Sequence, residues 1–141
     1  LRFLTVVTVS HKTVAMNAYL LIDHGSRRDE ANLLIGEVAA RVKERLGEGA
    51  VVEGAHMELA EPSIANAFAR CVEQGATRVV AHPFMLARGR HVSEDIPRMV
   101  AEAAEAHEGV EYVIAAPLGS HDGVIDAVVA RCDDALAADR G

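Results

Sequence analysis

The chain has 141 residues, half of them hydrophobic and a quarter charged, with a formal net charge of -7. That length suits one domain with a core that needs neither disulfides nor structural zinc. The acidity and the few aromatics exclude a general nucleic-acid binder, which needs a basic footprint or a stacking platform, and no uninterrupted apolar stretch reaches the ~20 residues of a membrane-spanning helix.

Leu1–Ser10 is apolar, but it is short and lacks the small-residue cleavage site of a secretory signal. A strand-like run begins just after Met16, so residues 1–15 read as an N-terminal extension and the domain as residues 16–141. Tyr19–Asp23 is a buried strand that stops at the turn His24-Gly25-Ser26. Asp29–Leu46 has helical spacing, with Leu34, Ile35, Val38, Val42 and Leu46 on one face, and Gly47 and Gly49 end it.

Val51–Met57 is a second strand. Pro62-Ser63-Ile64 opens a second helix, Pro62 suiting its first turn, with Ile64, Ala67, Phe68, Cys71 and Val72 as its apolar face. Arg78–Phe84 is a third strand, Leu86–Arg90 a loop, and Val92–Ala106 a helix with Pro97 in its first turn. Val110–Ala115 is a fourth strand. The last helix, about Asp122 to Ala137, is expected to bury Val124, Ile125, Val128, Val129, Cys132 and Leu136.

Strand–helix alternation repeated four times implies an α/β domain: a four-stranded parallel sheet with helices on both faces. Cys71 and Cys132, the only cysteines, fall in apolar helical patterns and read as small core residues. A reducing, cytoplasmic compartment is then expected.

Four polar clusters interrupt the pattern: His24-Gly25-Ser26-Arg27-Arg28, Glu58 with Glu61, Arg88-Gly89-Arg90-His91, and Asp95. Singly, each has a plain structural reading as a helix cap, a strand-end carboxylate or surface charge. Jointly they lie beyond strand carboxyl ends, which share one edge of a parallel sheet where ligands bind. Two imidazoles with a carboxylate suit a borderline divalent metal, and imidazole also accepts protons near neutral pH. Arginines suit a substrate with several carboxylates. The remaining histidines read otherwise: His56 and His82 as core or near-core, His107 at a helix end, and His121 as a cap of the last helix. No C-x-x-C or H-E-x-x-H spacing marks a structural metal cage.

On the stretches Leu20–Arg27, Met57–Ile64, Pro83–Pro97 and Pro117-Leu118-Gly119, the sequence resembles the small single-domain sirohydrochlorin chelatases, the ATP-independent class II cobalt- and iron-chelatases. The His-Gly-Ser turn alone is weak; joined to Gly89-x-His91-x-x-x-Asp95-Ile96-Pro97 it is specific. The resemblance implies insertion of a divalent metal into sirohydrochlorin, in cobalamin or siroheme synthesis. It implies His24 and His91 as the metal-contacting catalytic pair with Glu58 as the carboxylate beside them. It also implies a homodimer, since longer relatives carry two copies in one chain. Ser26, Arg27, Arg88 and Arg90 are candidate substrate contacts. No permanent cofactor is implied: Co²⁺, Fe²⁺ or Ni²⁺ is a substrate, the tetrapyrrole is the other, and neither nucleic acid nor membrane is a partner. No P-loop or G-x-G-x-x-G points to a nucleotide.

Two other readings compete. One is a non-catalytic tetrapyrrole or metal carrier on the same fold. The other is phosphoryl transfer with His24 as nucleophile, which lacks the usual Arg-His-Gly order because Asp23 precedes His24.

Overall fold

Four parallel strands lie in the order β2-β1-β3-β4, with β1 spanning Asn17–Asp23, β2 Val51–His56, β3 Arg78–Pro83 and β4 Glu111–Ile114. A computed structural model of the chain describes residues 14–141. The expected extension over residues 1–15, with His11, lies outside the described residues apart from Val14 and Ala15. Strand β1 pairs on both edges, Leu21 standing opposite Gly54 of β2 and His82 of β3. It is covered on both faces, which is why it reads as a continuous apolar run and not an alternation.

Helices α2 (Ile64–Glu73) and α3 (Ile96–Glu105) cover one face. Their Ile64, Phe68, Ile96 and Val100 pack with Ala18, Leu20, Ile22 and Val79 in the main core, and all eight are essentially inaccessible. Ser63 caps α2, its Oγ accepting from the Asn66 N–H at 3.1 Å. Glu61 steadies the cap by accepting from the Ser63 N–H at 2.8 Å and the Asn66 amide at 3.0 Å. The Ser63 hydrogen bond, then that of Asn66, holds its carboxyl below the usual range. Pro62 therefore precedes the cap instead of sitting in the first turn.

Helix α1 (Asp29–Leu46) covers the other face over β2 and β1. Its first turn carries Asp29 and Glu30 and its last Lys43 and Arg45, which suits the helix dipole. The buried seam is Ile35 and Ala39, flanked by half-buried Val38 and Val42. Leu34 and Leu46, expected on that seam, lie outside it and are exposed. Five apolar positions at helical spacing make a stripe wider than the single strip a sheet edge covers.

The last helix, α4 (Asp122–Asp139), departs further from expectation. Its N-terminus is capped as foreseen, His121 Nδ1 accepting from the Gly123 N–H at 3.0 Å. Yet from Ile125 onward every residue is exposed, Cys132 included, and the helix makes no substantial contact with any strand or helix. The expected burial of Ile125, Val128, Val129, Cys132 and Leu136 is corrected: the stripe exists, but this chain alone does not cover it. Cys71 is buried as expected, and burial pushes its thiol up to about 12. His107 follows the end of α3 and stacks on Phe68, ring centroids 5.6 Å apart.

Candidate functional site

The carboxyl ends of β1, β2 and β3 are joined by backbone hydrogen bonds that run past the strands themselves. The Met57 N–H donates to Asp23 O, the Glu58 N–H to His24 O, and the Phe84 N–H to Ile22 O. These bonds hold the three following loops side by side. Gly25 makes the closest approach possible: a Cβ there would stand 1.8 Å from Glu58 O, and its φ is 84°. Only glycine fits both the left-handed backbone and the contact.

Beside it, Leu59 is left-handed at φ 68°, and the Ala60 N–H donates to Glu58 O two residues back. A non-glycine residue held in that conformation stores strain, which is concentrated at functional loops. The turn after β1 is fixed from below by Asp23. Its Oδ1 accepts from the Gly25 N–H at 3.0 Å and from His56 Nδ1 at 2.6 Å, and His56 is only 2 % exposed. A carboxylate can only accept, so Nδ1 of His56 carries the proton. His56 is thus in the core, as expected, but as a polar support for the turn that presents His24.

His91 arrives from the loop after β3. Residues His91–Asp95 form a π-helical turn leading into α3, closed by the Ile96 N–H donating to His91 O five residues back. Pro97 has no N–H for Ser93 and crowds that carbonyl, so the first turn widens; such turns recur at functional sites. His91 Nδ1 lies 2.8 Å from Asp95 Oδ2.

These two loops bring His24 and His91 together. Their ring centroids are 5.0 Å apart at 84°, edge to face. Both are exposed to the same pocket of about 360 Å³, lined also by Phe84, Met85, Leu86 and Val92. On the other side of the π-helical turn, a second pocket of about 420 Å³ shares Val92 and includes Arg88 and Pro117. Another concavity, about 520 Å³, runs along α1 away from these loops and is lined by Val38, Arg41, Val42, Glu44 and Arg45.

The other expected site residues are dispersed around the pair. Glu58 borders a separate pocket of about 450 Å³ with His56 and Glu61; it adjoins the His24 turn through its backbone. Among the described residues, no group of three His, Cys, Asp or Glu side chains converges as a metal cage. Ser26 Oγ accepts from the Arg28 N–H at 3.1 Å, so its hydroxyl shapes the turn. Arg27 is exposed on that turn, and Arg90 reaches Glu94 at 3.2 Å, one turn along. Asp23, His56 and Asp95 carry supporting roles that residue spacing pointed to only for Asp95, four residues after His91.

Chemically, the pair offers two imidazoles, a hydrogen-bonded carboxylate behind one of them, and an open approach. Such a site can hold a metal briefly and accept protons without trapping the ion.

The family model CbiX matches residues 18–135. The chain is 50% identical over 118 residues to the chloroplastic sirohydrochlorin ferrochelatase of Arabidopsis thaliana, covering 84% of this chain and 52% of that protein. It therefore spans about half the length of that relative. It is 32% identical over 140 residues to the sirohydrochlorin cobaltochelatase of Methanocaldococcus jannaschii, covering 82% of this chain and 97% of that one. Among solved structures, the sirohydrochlorin chelatase SirB from Bacillus subtilis subspecies spizizenii, in complex with cobalt, superposes with a TM-score of 0.73 at 30% identity, over 84% of this chain and 50% of SirB.

Proposed function

The chain belongs to the CbiX family, and we propose that it inserts Co²⁺ or Fe²⁺ into sirohydrochlorin without ATP. The observation that carries this reading is the approach of His24 and His91 to 5.0 Å in one pocket at the carboxyl edge of the sheet. Ni²⁺ also suits imidazole and oxygen ligands, and the choice of metal follows supply as much as geometry.

Insertion exchanges two pyrrole N–H protons for one M²⁺. The imidazole of His91, its Nδ1–H given to Asp95, turns a free Nε2 lone pair toward metal or proton. His24, standing edge-on to it, supplies the second lone pair. With only two imidazoles converging, the metal is held loosely enough to pass on. Glu58, one residue past Met57 on the adjoining turn, attracts the cation from the neighbouring pocket. The paired pockets beside Val92 suit a flat macrocycle larger than either alone. Arg27 and Arg88 suit its carboxylates, with Ser26 shaping the turn and Arg90 tethered at the rim.

The homodimer belongs to the same proposal. It is supported by the exposed apolar stripe of α4 and by relatives about twice the length of the segment they share with this chain. Two free cysteines agree with a reducing, cytoplasmic setting.

The test is absorbance during incubation of sirohydrochlorin with each metal, with and without ATP. Catalytic turnover without nucleotide is expected. Conversion that stops at one equivalent per chain would favour the carrier, and no conversion with any metal would overturn the proposal.

A further inference from the structure

Two exposed leucines stand on the loops either side of the His24 turn. The strand order β2-β1-β3 puts the turn after β1 in the middle. Leu59, just past β2, is 57% exposed, and Leu86, just past β3, is 61% exposed. With about 4.8 Å between neighbouring strands, β2 and β3 run roughly 10 Å apart. The two leucines therefore flank His24 from opposite sides.

A single leucine in water needs no explanation. Leu59 differs in what holds it there. Its φ of 68°, with the Ala60 N–H donating to Glu58 O, makes a three-residue γ-turn of the strained kind. Burial is the gain that ordinarily offsets such strain, and more than half of Leu59 is in water. Glycine would take the same backbone freely. The turn is also fixed from outside, since the Glu58 N–H donates to His24 O and Glu58 O lies against Gly25. Strain kept where the fold gains nothing from the side chain implies a use outside the fold.

Leu86 is held as firmly. The Gly119 N–H donates to Leu86 O and the Leu118 N–H to Met85 O, each at 2.9 Å. Leu86 lines the pocket that His24 and His91 share, and Leu59 lines the neighbouring pocket with Glu58. Both isobutyl groups thus meet solvent from backbones already ordered, which lowers the cost of using them in binding.

We infer that Leu59 and Leu86 are substrate-contact residues that bear on the apolar face of the tetrapyrrole and hold its centre over the His24–His91 pair. This rests on the chelatase reading above and adds to it the residues that orient the ring. The macrocycle carries its carboxylates at the rim, where arginines can address them. Outside the central nitrogens, its plane offers no hydrogen-bonding group to a polar side chain. Metal entry needs those nitrogens facing the imidazoles at contact range. Two fixed apolar groups on opposite sides of His24 supply that orientation, whereas rim contacts alone leave the plane free to tilt.

The test uses the full chain. Metal-free sirohydrochlorin is titrated by its absorbance change, and Co²⁺ insertion rates are measured beside it. Leu59→Asn keeps a residue that tolerates the left-handed backbone and removes the apolar group; Leu86→Asn removes the other. Each is expected to bind sirohydrochlorin about 10-fold more weakly and to raise its KM by a similar factor, the loss typical of one leucine left out of contact. The Co²⁺ concentration for half-maximal rate is expected to stay the same. Leu59→Met, which returns the apolar bulk, should recover most of the binding lost in Leu59→Asn. Leu59→Gly separates strain from contact: its urea midpoint should rise while its binding weakens. A midpoint below wild type would show that the fold itself needs the leucine, and would overturn the inference. Unchanged affinity in either asparagine variant, beside a wild type that binds and turns over, overturns it and leaves the chelatase reading standing. A shift in the Co²⁺ dependence in place of the sirohydrochlorin dependence also overturns it, because the leucines then only support the His24 turn. A wild-type chain that neither binds sirohydrochlorin nor inserts metal overturns both.

Discussion

His91 presents its Nδ1 to Asp95 Oδ2 at 2.8 Å across one widened turn of helix. The carboxylate holds the proton on Nδ1, so Nε2 keeps its lone pair, and the ring is fixed in the plane that faces His24. Support of this kind typically contributes 10–100-fold to metal affinity or activity. Asp95→Asn is expected to raise the Co²⁺ concentration for half-maximal rate by roughly that factor, with α3 intact by circular dichroism. An unchanged metal dependence would remove Asp95 from the site.

Gly25 and Gly36 are expected to respond in opposite directions to alanine. At Gly25 the new Cβ meets Glu58 O at 1.8 Å on a left-handed backbone. The backbone conformation alone costs about 1–3 kcal/mol, and displacing Glu58 breaks the join between the His24 and Glu58 turns. Gly36 lies mid-helix with nothing within 4 Å of its Cβ position, so Gly36→Ala is expected to stabilise by about 0.5–1 kcal/mol. Urea midpoints measure both.

Burial holds the His82 imidazole below its ordinary value of 6.5. The unfolded chain then takes up the proton first, so this contribution to stability is complete above about pH 6.5 and is lost as pH falls toward the lower folded value. His82→Gln is expected to flatten the fall in urea midpoint between about pH 7 and 5. Equal slopes for the two proteins would contradict this.

The elements were legible because local patterns govern them: α1 runs Asp29–Leu46 as its spacing and flanking glycines indicate. The meeting of His24 with His91 followed from topology, since both loops leave strand carboxyl ends on adjacent strands. What the pattern could not carry was the partner of each surface. The stripe on α4 says that a face will be covered, not by which chain, so Cys132 read as core. The Asp23–His56 pair depends on the register that sets Asp23 opposite His56 across two strands, and no spacing along the chain encodes it. The sequence puts Glu58 just past a strand end, yet its backbone, not its carboxylate, is what meets the His24 turn.

The central claim is that His24 and His91 together carry the metal into the macrocycle. The most direct measurement is the initial rate of Co²⁺ insertion into sirohydrochlorin, followed by absorbance, for wild type, His24→Ala and His91→Ala. Both side chains are exposed, His24 on a loop and His91 at the start of the π-helical turn, so neither truncation leaves a core cavity and both proteins are expected to stay folded by circular dichroism and urea midpoint. Each should lose most of the activity, on the order of 100-fold or more, the range typical of a lost acid–base group. A folded His24→Ala or His91→Ala protein turning over at the wild-type rate would contradict the account.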